Sequence, residues 1–70
     1  MIHKEVYKQF EFYLPLFAQN VEVWFPNGKN SIRVRQTDKR EFIFTYDGQR
    51  RWIFETVENF LNRMKGERKM

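Results

Sequence analysis

The chain has no cysteine, one histidine and one serine in 70 residues. The missing thiols exclude a disulfide framework, thiolate metal sites and Cys–His nucleophilic dyads, and they fit a reducing compartment. His3 lies near a terminus, where ends fray, and is a poor general base. Ser31 lies in an expected strand with no base predicted beside it. The carboxylates are dispersed, and most stand beside Lys or Arg rather than converging as an acid–base pair would require. Only three glycines are present, Gly28, Gly48 and Gly66. Turns and a helix end account for all three, which leaves no phosphate-cradling loop. Metal ligands at useful spacing are lacking too. The chain is expected to be non-enzymatic and to need no cofactor.

Long apolar runs are also missing, so no transmembrane helix is expected. The opening MIHKEVYKQF has no continuous apolar segment, and a signal peptide is not expected. A cytoplasmic location follows as the default, with no membrane partner.

What is abundant is aromatic surface. The 13 Phe, Tyr and Trp residues make up 19% of the chain. A single domain spanning 1–70 is small enough to be marginal, and aromatics supply the large buried area that it needs. Apolar burial and chain-ordering entropy nearly cancel at this size, so dimerisation is an option for hiding more surface.

Val6, Phe10, Tyr13 and Leu14, with Ile2, recur at helical spacing and predict a first helix over most of 2–13. Pro15 closes it or opens a short extra turn through PLFAQN, with Phe17 packing inward. Asn27-Gly28 is the favoured pair for a two-residue hairpin turn. With the turn there, Val23 faces Ile32, Val21 faces Val34, and Glu22 faces Arg33 as an opposite-charge pair. Val21, Val23, Phe25, Ile32 and Val34 then share one face. A three-residue loop, Asp38-Lys39-Arg40, sets Val34 opposite Phe44 and keeps Phe42, Phe44 and Tyr46 on that face. A slip of one residue would turn three aromatics outward.

Asp47-Gly48 ends the third strand. Ile53, Val57, Phe60, Leu61 and Met64 form an amphipathic stripe that predicts a second helix, with Gly66 as its C-terminal cap. The segment RWIF reads either as its first turn or as an extension of the sheet, and the helical reading is preferred. The expectation is an α+β fold of order α-β-β-β-α. It is a three-stranded antiparallel meander with both helices on one face, followed by a basic tail from about residue 66.

Two surfaces stand out. The uncovered sheet face would carry Trp24, Arg33, Arg35, Ile43 and Thr45. That mixture suits a protein interface, or the stacking of bases and holding of phosphates. Arg50 and Arg51, in GQRRW, would sit at the start of the second helix. There they oppose the helix dipole, and with the helix N-terminus they could hold an anion. The net charge of +4 agrees with anionic partners. Its excess lies after residue 48, where six Lys and Arg face three Glu.

The element order resembles the double-stranded RNA-binding domain, whose basic second-helix N-terminus is matched in position by Arg50 and Arg51. The chain departs from that family in its short Asn27-Gly28 turn and in lacking a lysine-rich KKxAK run. FPNGKNSIRVR, EFIFTY and ETVENFLNRMKG resemble small uncharacterised proteins carried by conjugative transposons of Gram-positive gut bacteria. This resemblance implies an accessory protein of a mobile element and carries no functional residues. The functional expectation is an interaction protein that binds a protein partner, or itself, through the open sheet face or a sheet edge. The alternative is DNA or RNA binding through Arg33, Arg35, Arg50 and Arg51.

Overall fold

The computed structural model describes residues 2–68, with side chains described through residue 65. The element order is α1 (His3–Tyr13), α2 (Pro15–Ala18), β1 (Val21–Pro26), β2 (Ser31–Gln36), β3 (Glu41–Tyr46), β4 (Trp52–Thr56) and α3 (Val57–Arg68). The fold is α+β. Its sheet is an antiparallel meander of four strands in the order β1-β2-β3-β4, one strand more than expected.

α1 forms over the expected residues and buries Val6 and Phe10, four apart on one helical face. Pro15 stands at the first position of α2, where its missing N–H has no intrahelical partner to lose. Phe17 packs inward from that turn. The core lies between α1 with α2 and one face of the sheet, around Val6, Phe10, Ile32, Val34, Phe44 and Tyr46. It is largely aromatic. Phe10 meets Phe44 with ring centres 5.4 Å apart and Phe54 at 5.8 Å. Phe17 meets Phe54 at 4.8 Å, and Tyr13 reaches Tyr46 and Trp52 at 6.0 and 5.6 Å.

The fourth strand replaces the expected start of the second helix. Trp-Ile-Phe-Glu-Thr is rich in aromatic and β-branched residues, which favour strands. The turn before it is pinned by Asp47. Its Oδ1 accepts the backbone N–H groups of Gln49 and Arg51, and its backbone N–H donates to the Arg51 carbonyl at 3.0 Å. Gly48 and Arg50 take positive φ there, 85° and 68°. Phe54 pairs with Phe44 and Trp52 with Tyr46, which brings both new aromatics to the core face. Ile53 therefore belongs to the sheet and not to the helical stripe.

α3 starts at Val57, immediately after the strand. The Thr56 hydroxyl accepts the Asn59 N–H at 3.1 Å, an N-cap bond, and Glu58 adds an acidic group in the first turn. The helix runs through Gly66 to Arg68, so Gly66 does not cap it. A single interior glycine costs a helix only about 1 kcal/mol. The part of the expected basic tail beyond residue 68 lies outside the described residues.

The register of the first hairpin differs by an odd number from the expected one. Asn27 does not take positive φ, so the two-residue turn does not form. Instead the Asn27 N–H donates to the Ser31 carbonyl at 2.9 Å, and the Asn27 amide donates to Ser31 Oγ at 3.2 Å. The wider loop sets Trp24 opposite Val34 and Phe25 opposite Arg33. Trp24 is thereby turned to the core, where it stacks on Tyr7 at 5.1 Å and 11°. Val23 and Phe25 turn to the other face. A bulge between Val21 and Val23 absorbs one residue, so that Val21 still packs against the core. Trp24 carries more apolar surface than Val23, and burying it beside Tyr7 while keeping Val21 favours this register.

The second hairpin keeps its expected faces, but its pairing moves by two. Val34 opposes Phe42 and Ile32 opposes Phe44, because the loop is Thr37-Asp38-Lys39 with Lys39 at φ 76°. Gln36 closes it by donating its N–H to the Arg40 carbonyl at 2.8 Å.

The helices lie on opposite faces of the sheet, and not together as expected. α1 covers the Phe44 face. Ile43 points the other way, yet it is only 1% exposed and stands outside the core cluster. α3 contacts β3 and β4, and its Arg63 binds Glu55, the cross-strand neighbour of Ile43. α3 therefore covers the Ile43 face. The fourth strand and the split helices also depart from the double-stranded RNA-binding arrangement.

Replacing Phe10 by Ala should cost about 3–5 kcal/mol, while Phe12→Ala, on the exposed side of the same helix, should stay within about 0.5 kcal/mol. Urea titration of both variants checks this. Equal losses would contradict the placement of α1.

Candidate functional site

The second sheet face is built from Val23 and Phe25 of β1, Arg33 and Arg35 of β2, Glu41, Ile43 and Thr45 of β3, and Ile53 and Glu55 of β4, as alternation and the cross-strand pairs require. Of the five residues expected on an open face, the structure brings together Arg33, Arg35, Ile43 and Thr45. Trp24 lies on the opposite, core face, because of the wider first loop. Ile43 is buried. The Thr45 hydroxyl donates to Ser31 Oγ at 3.1 Å. What stays open is the half of the face toward β1.

That half is charged but internally neutralised. Glu41 sits between the two arginines. Arg33 Nε donates to Oε1 at 2.7 Å, with a second bond from its terminal nitrogen, and Arg35 Nε donates to Oε2 at 2.8 Å. The expected pairing of Arg33 with Glu22 is not made, since the register places Glu41 diagonally across from Arg33 and Glu22 instead binds Lys39 at 3.0 Å. The Arg35 guanidinium also lies 5.9 Å from the centre of the Phe25 ring, within cation–π range. The bonds from Arg35 and then Arg33, with their positive charges, hold the Glu41 carboxyl below its ordinary range, against a smaller opposing effect of burial. A phosphate approaching here would have to displace a carboxylate that already satisfies both guanidinium groups.

Arg50 and Arg51 are not at a helix start. They lie in the β3–β4 turn, before a strand, so neither opposes a helix dipole and no helix N-terminus assists them. Arg51 Nε donates to Asp47 Oδ2 at 2.7 Å. Bonds from the Gln49 backbone, then Arg51, hold the Asp47 carboxyl below its ordinary range. The Arg50 backbone N–H donates to the Tyr46 hydroxyl at 3.2 Å. Its side chain has no ion-pair partner among the described residues. No group of three or more His, Asp or Glu that could hold a metal converges among the described residues. Among them, too, no helix is long and apolar enough to cross a membrane.

The feature hidden by the helical reading of residues 51–54 is the free edge of β4. In an antiparallel ladder the outward and inward backbone groups alternate. Since Asp47 and Arg51 are a bonded pair, Arg51, Ile53 and Glu55 direct their backbone groups toward β3. Trp52 and Phe54 direct theirs outward, with the Thr56 N–H. Trp52 and Ile53 are 37% and 44% exposed along this edge. The sequence held a signal for it. An Asp-Gly turn separates two runs rich in aromatics, EFIFTY and WIFET, a hairpin pattern.

The two sheet edges are not alike. β1 carries a bulge and ends in Pro26, both devices that discourage strand addition. β4 has no proline, lysine or bulge. Its one charge, Glu55, is turned onto Arg63 Nη2 at 2.6 Å, and its side chain is only 10% exposed.

Comparison with family models, with curated proteins and with solved structures finds no match for this chain.

The lowered Glu41 pKa has a definite sign. A carboxylate depressed in the folded state adds stability that is complete above its ordinary value of 4.5 and is lost as pH falls through the folded value. An NMR titration of the Glu41 carboxyl should give a midpoint below 4.5. Arg35→Ala should raise that midpoint. A Glu41 midpoint unchanged by Arg35→Ala would contradict the shared-carboxylate geometry.

Proposed function

We propose that this chain is a non-enzymatic interaction protein that acts in the cytoplasm and binds a polypeptide by strand addition at β4. The single observation that carries the reading is the unprotected edge of β4, with outward backbone groups beside the exposed Trp52 and Ile53. Strand addition draws affinity from main-chain hydrogen bonds and specificity from alternate side chains. Here the Trp52 and Phe54 side chains border one side of the edge and Ile53 the other. A role as an accessory factor of a mobile element rests on the resemblance of FPNGKNSIRVR, EFIFTY and ETVENFLNRMKG alone.

One observation favours the second reading, nucleic-acid binding. Arg50 is exposed without an ion-pair partner among the described residues. Against it, Arg33 and Arg35 share Glu41 and Arg51 is held by Asp47. The four arginines of that reading therefore offer one free guanidinium rather than a basic patch, and Trp24 lies on the other face, stacked on Tyr7.

A photo-crosslinking residue at position 53, introduced in the native cell, should give a protein adduct that resists nuclease. The same residue at position 4, on the exposed side of α1, should not. An equal yield from both positions would contradict edge binding.

Fluorescence anisotropy on duplex DNA, single-stranded DNA and double-stranded RNA at low salt should show no specific titration. Tight duplex binding with a log–log salt slope of about −3 to −4, the mark of about four phosphate contacts, would favour the second reading instead.

A further inference from the structure

We infer that the strand added at β4 is the β4 strand of a second copy, paired antiparallel about a two-fold axis through Phe54. The inference rests on the edge-binding reading and names its partner.

The charge order of the segment is what selects a second copy. Read along the chain, Arg50 and Arg51 precede the strand, WIFET forms it, and Glu58 follows in the first turn of α3. An antiparallel copy centred on Phe54 sets each position opposite its mirror. Trp52 then opposes Thr56, Ile53 opposes Glu55, and the Arg50-Arg51 end meets the end carrying Val57 and Glu58. The cationic end of each strand lies against the acidic end of the other, twice by symmetry. Arg50 has no ion-pair partner among the described residues, and Glu58 is exposed and forms none of the ion pairs described. A parallel copy would instead bring the two Arg50-Arg51 ends together.

The backbone agrees with this register. Centring on Phe54 makes Phe54 with its own copy a hydrogen-bonded pair of the new ladder, and lets each Thr56 N–H donate to the Trp52 carbonyl of the other copy. These are the residues whose backbone groups point outward. Ile53 and Glu55 then become the close non-hydrogen-bonded pair, in which α-carbons approach to about 4.5 Å. α3 packs over β3 and β4. The result is a continuous eight-stranded sheet with its two open ends at the β1 edges, which the bulge and Pro26 protect.

The two-fold symmetry also closes the assembly, because each copy offers one unprotected edge and uses it once. Five paired residues bury less than the roughly 1,600 Å² of a standard stable interface. The dimer is therefore expected to dissociate on dilution.

Sedimentation equilibrium to millimolar concentration tests the association, on the full chain and on three variants. Arg50→Glu alone and Glu58→Arg alone should each weaken dimerisation about tenfold, through like-charge opposition. The double variant, Arg50→Glu with Glu58→Arg, should restore it. Both positions are exposed, and because Glu58→Arg also reverses a favourable first-turn charge, a urea titration checks that each variant is folded. A mixed sample of labelled and unlabelled chains should show an Ile53 Hα to Glu55 Hα contact between copies by isotope-filtered NMR.

A monomer at millimolar concentration that still gives the position-53 adduct with another protein overturns the self-pairing and leaves edge binding standing. A dimer without the Ile53–Glu55 contact, with no rescue in the double variant and no position-53 adduct, overturns both.

Discussion

Phe10 sits between Phe44 and Phe54, and the fold depends on that contact. It is fully buried, and it joins the first helix to two adjacent strands at once. Phe54 can take part only if residues 52–56 are extended, because its place is set by pairing with Phe44 across β3 and β4. A helix over the same residues would leave Phe10 with one ring partner in the sheet and remove Trp52 from Phe44 and Tyr13. For a chain of this size, without disulfides, such aromatic area is the main source of stability. The fourth strand, the edge that it creates and the start of α3 at Val57 all follow from filling this layer.

The same demand explains which parts of the fold were legible in the sequence. The helical spacing of Val6 and Phe10, the alternation of Phe42, Phe44 and Tyr46, and the stripe Val57, Phe60, Leu61 and Met64 each carry a local period, and each marks an element correctly. The errors lie where two local signals compete. Asn27-Gly28 has the composition of a two-residue turn, but accepting that turn leaves Trp24 outside, and the tertiary gain from stacking Trp24 on Tyr7 decides the register. Ile53 fits the helical stripe by spacing, but Trp52 and Phe54 have more apolar area to place in the core. A bulge at the start of β1 could not be read from alternation at all, since it breaks the period that alternation relies on. The candidate surface was legible only in part for this reason. Arg33, Arg35, Ile43 and Thr45 share a face as expected, while Trp24 moved away with the register, and Arg50 and Arg51 lost their helix.

Charge pairing then narrows what the surface can do. Cationic side chains count toward an anion site only when they are free, and among the residues whose side chains are described ion pairs hold every arginine but Arg50. Glu41 takes two arginines, Asp47 takes Arg51, Glu55 takes Arg63, and Glu22 takes Lys39. Unpaired backbone at one edge is the more specific feature, because hydrogen-bonding groups in a strand demand a partner of a definite shape, whereas dispersed surface charge does not.

Residues 52–56 form an edge strand whose outward backbone is free. Amide hydrogen exchange in dilute solution tests it residue by residue. The structure requires an alternating pattern, with the Ile53 and Glu55 amides slow because they bond to β3, and the Trp52 and Phe54 amides fast because they face solvent. Continuous protection through 52–56, as a helix would give, would contradict the edge strand.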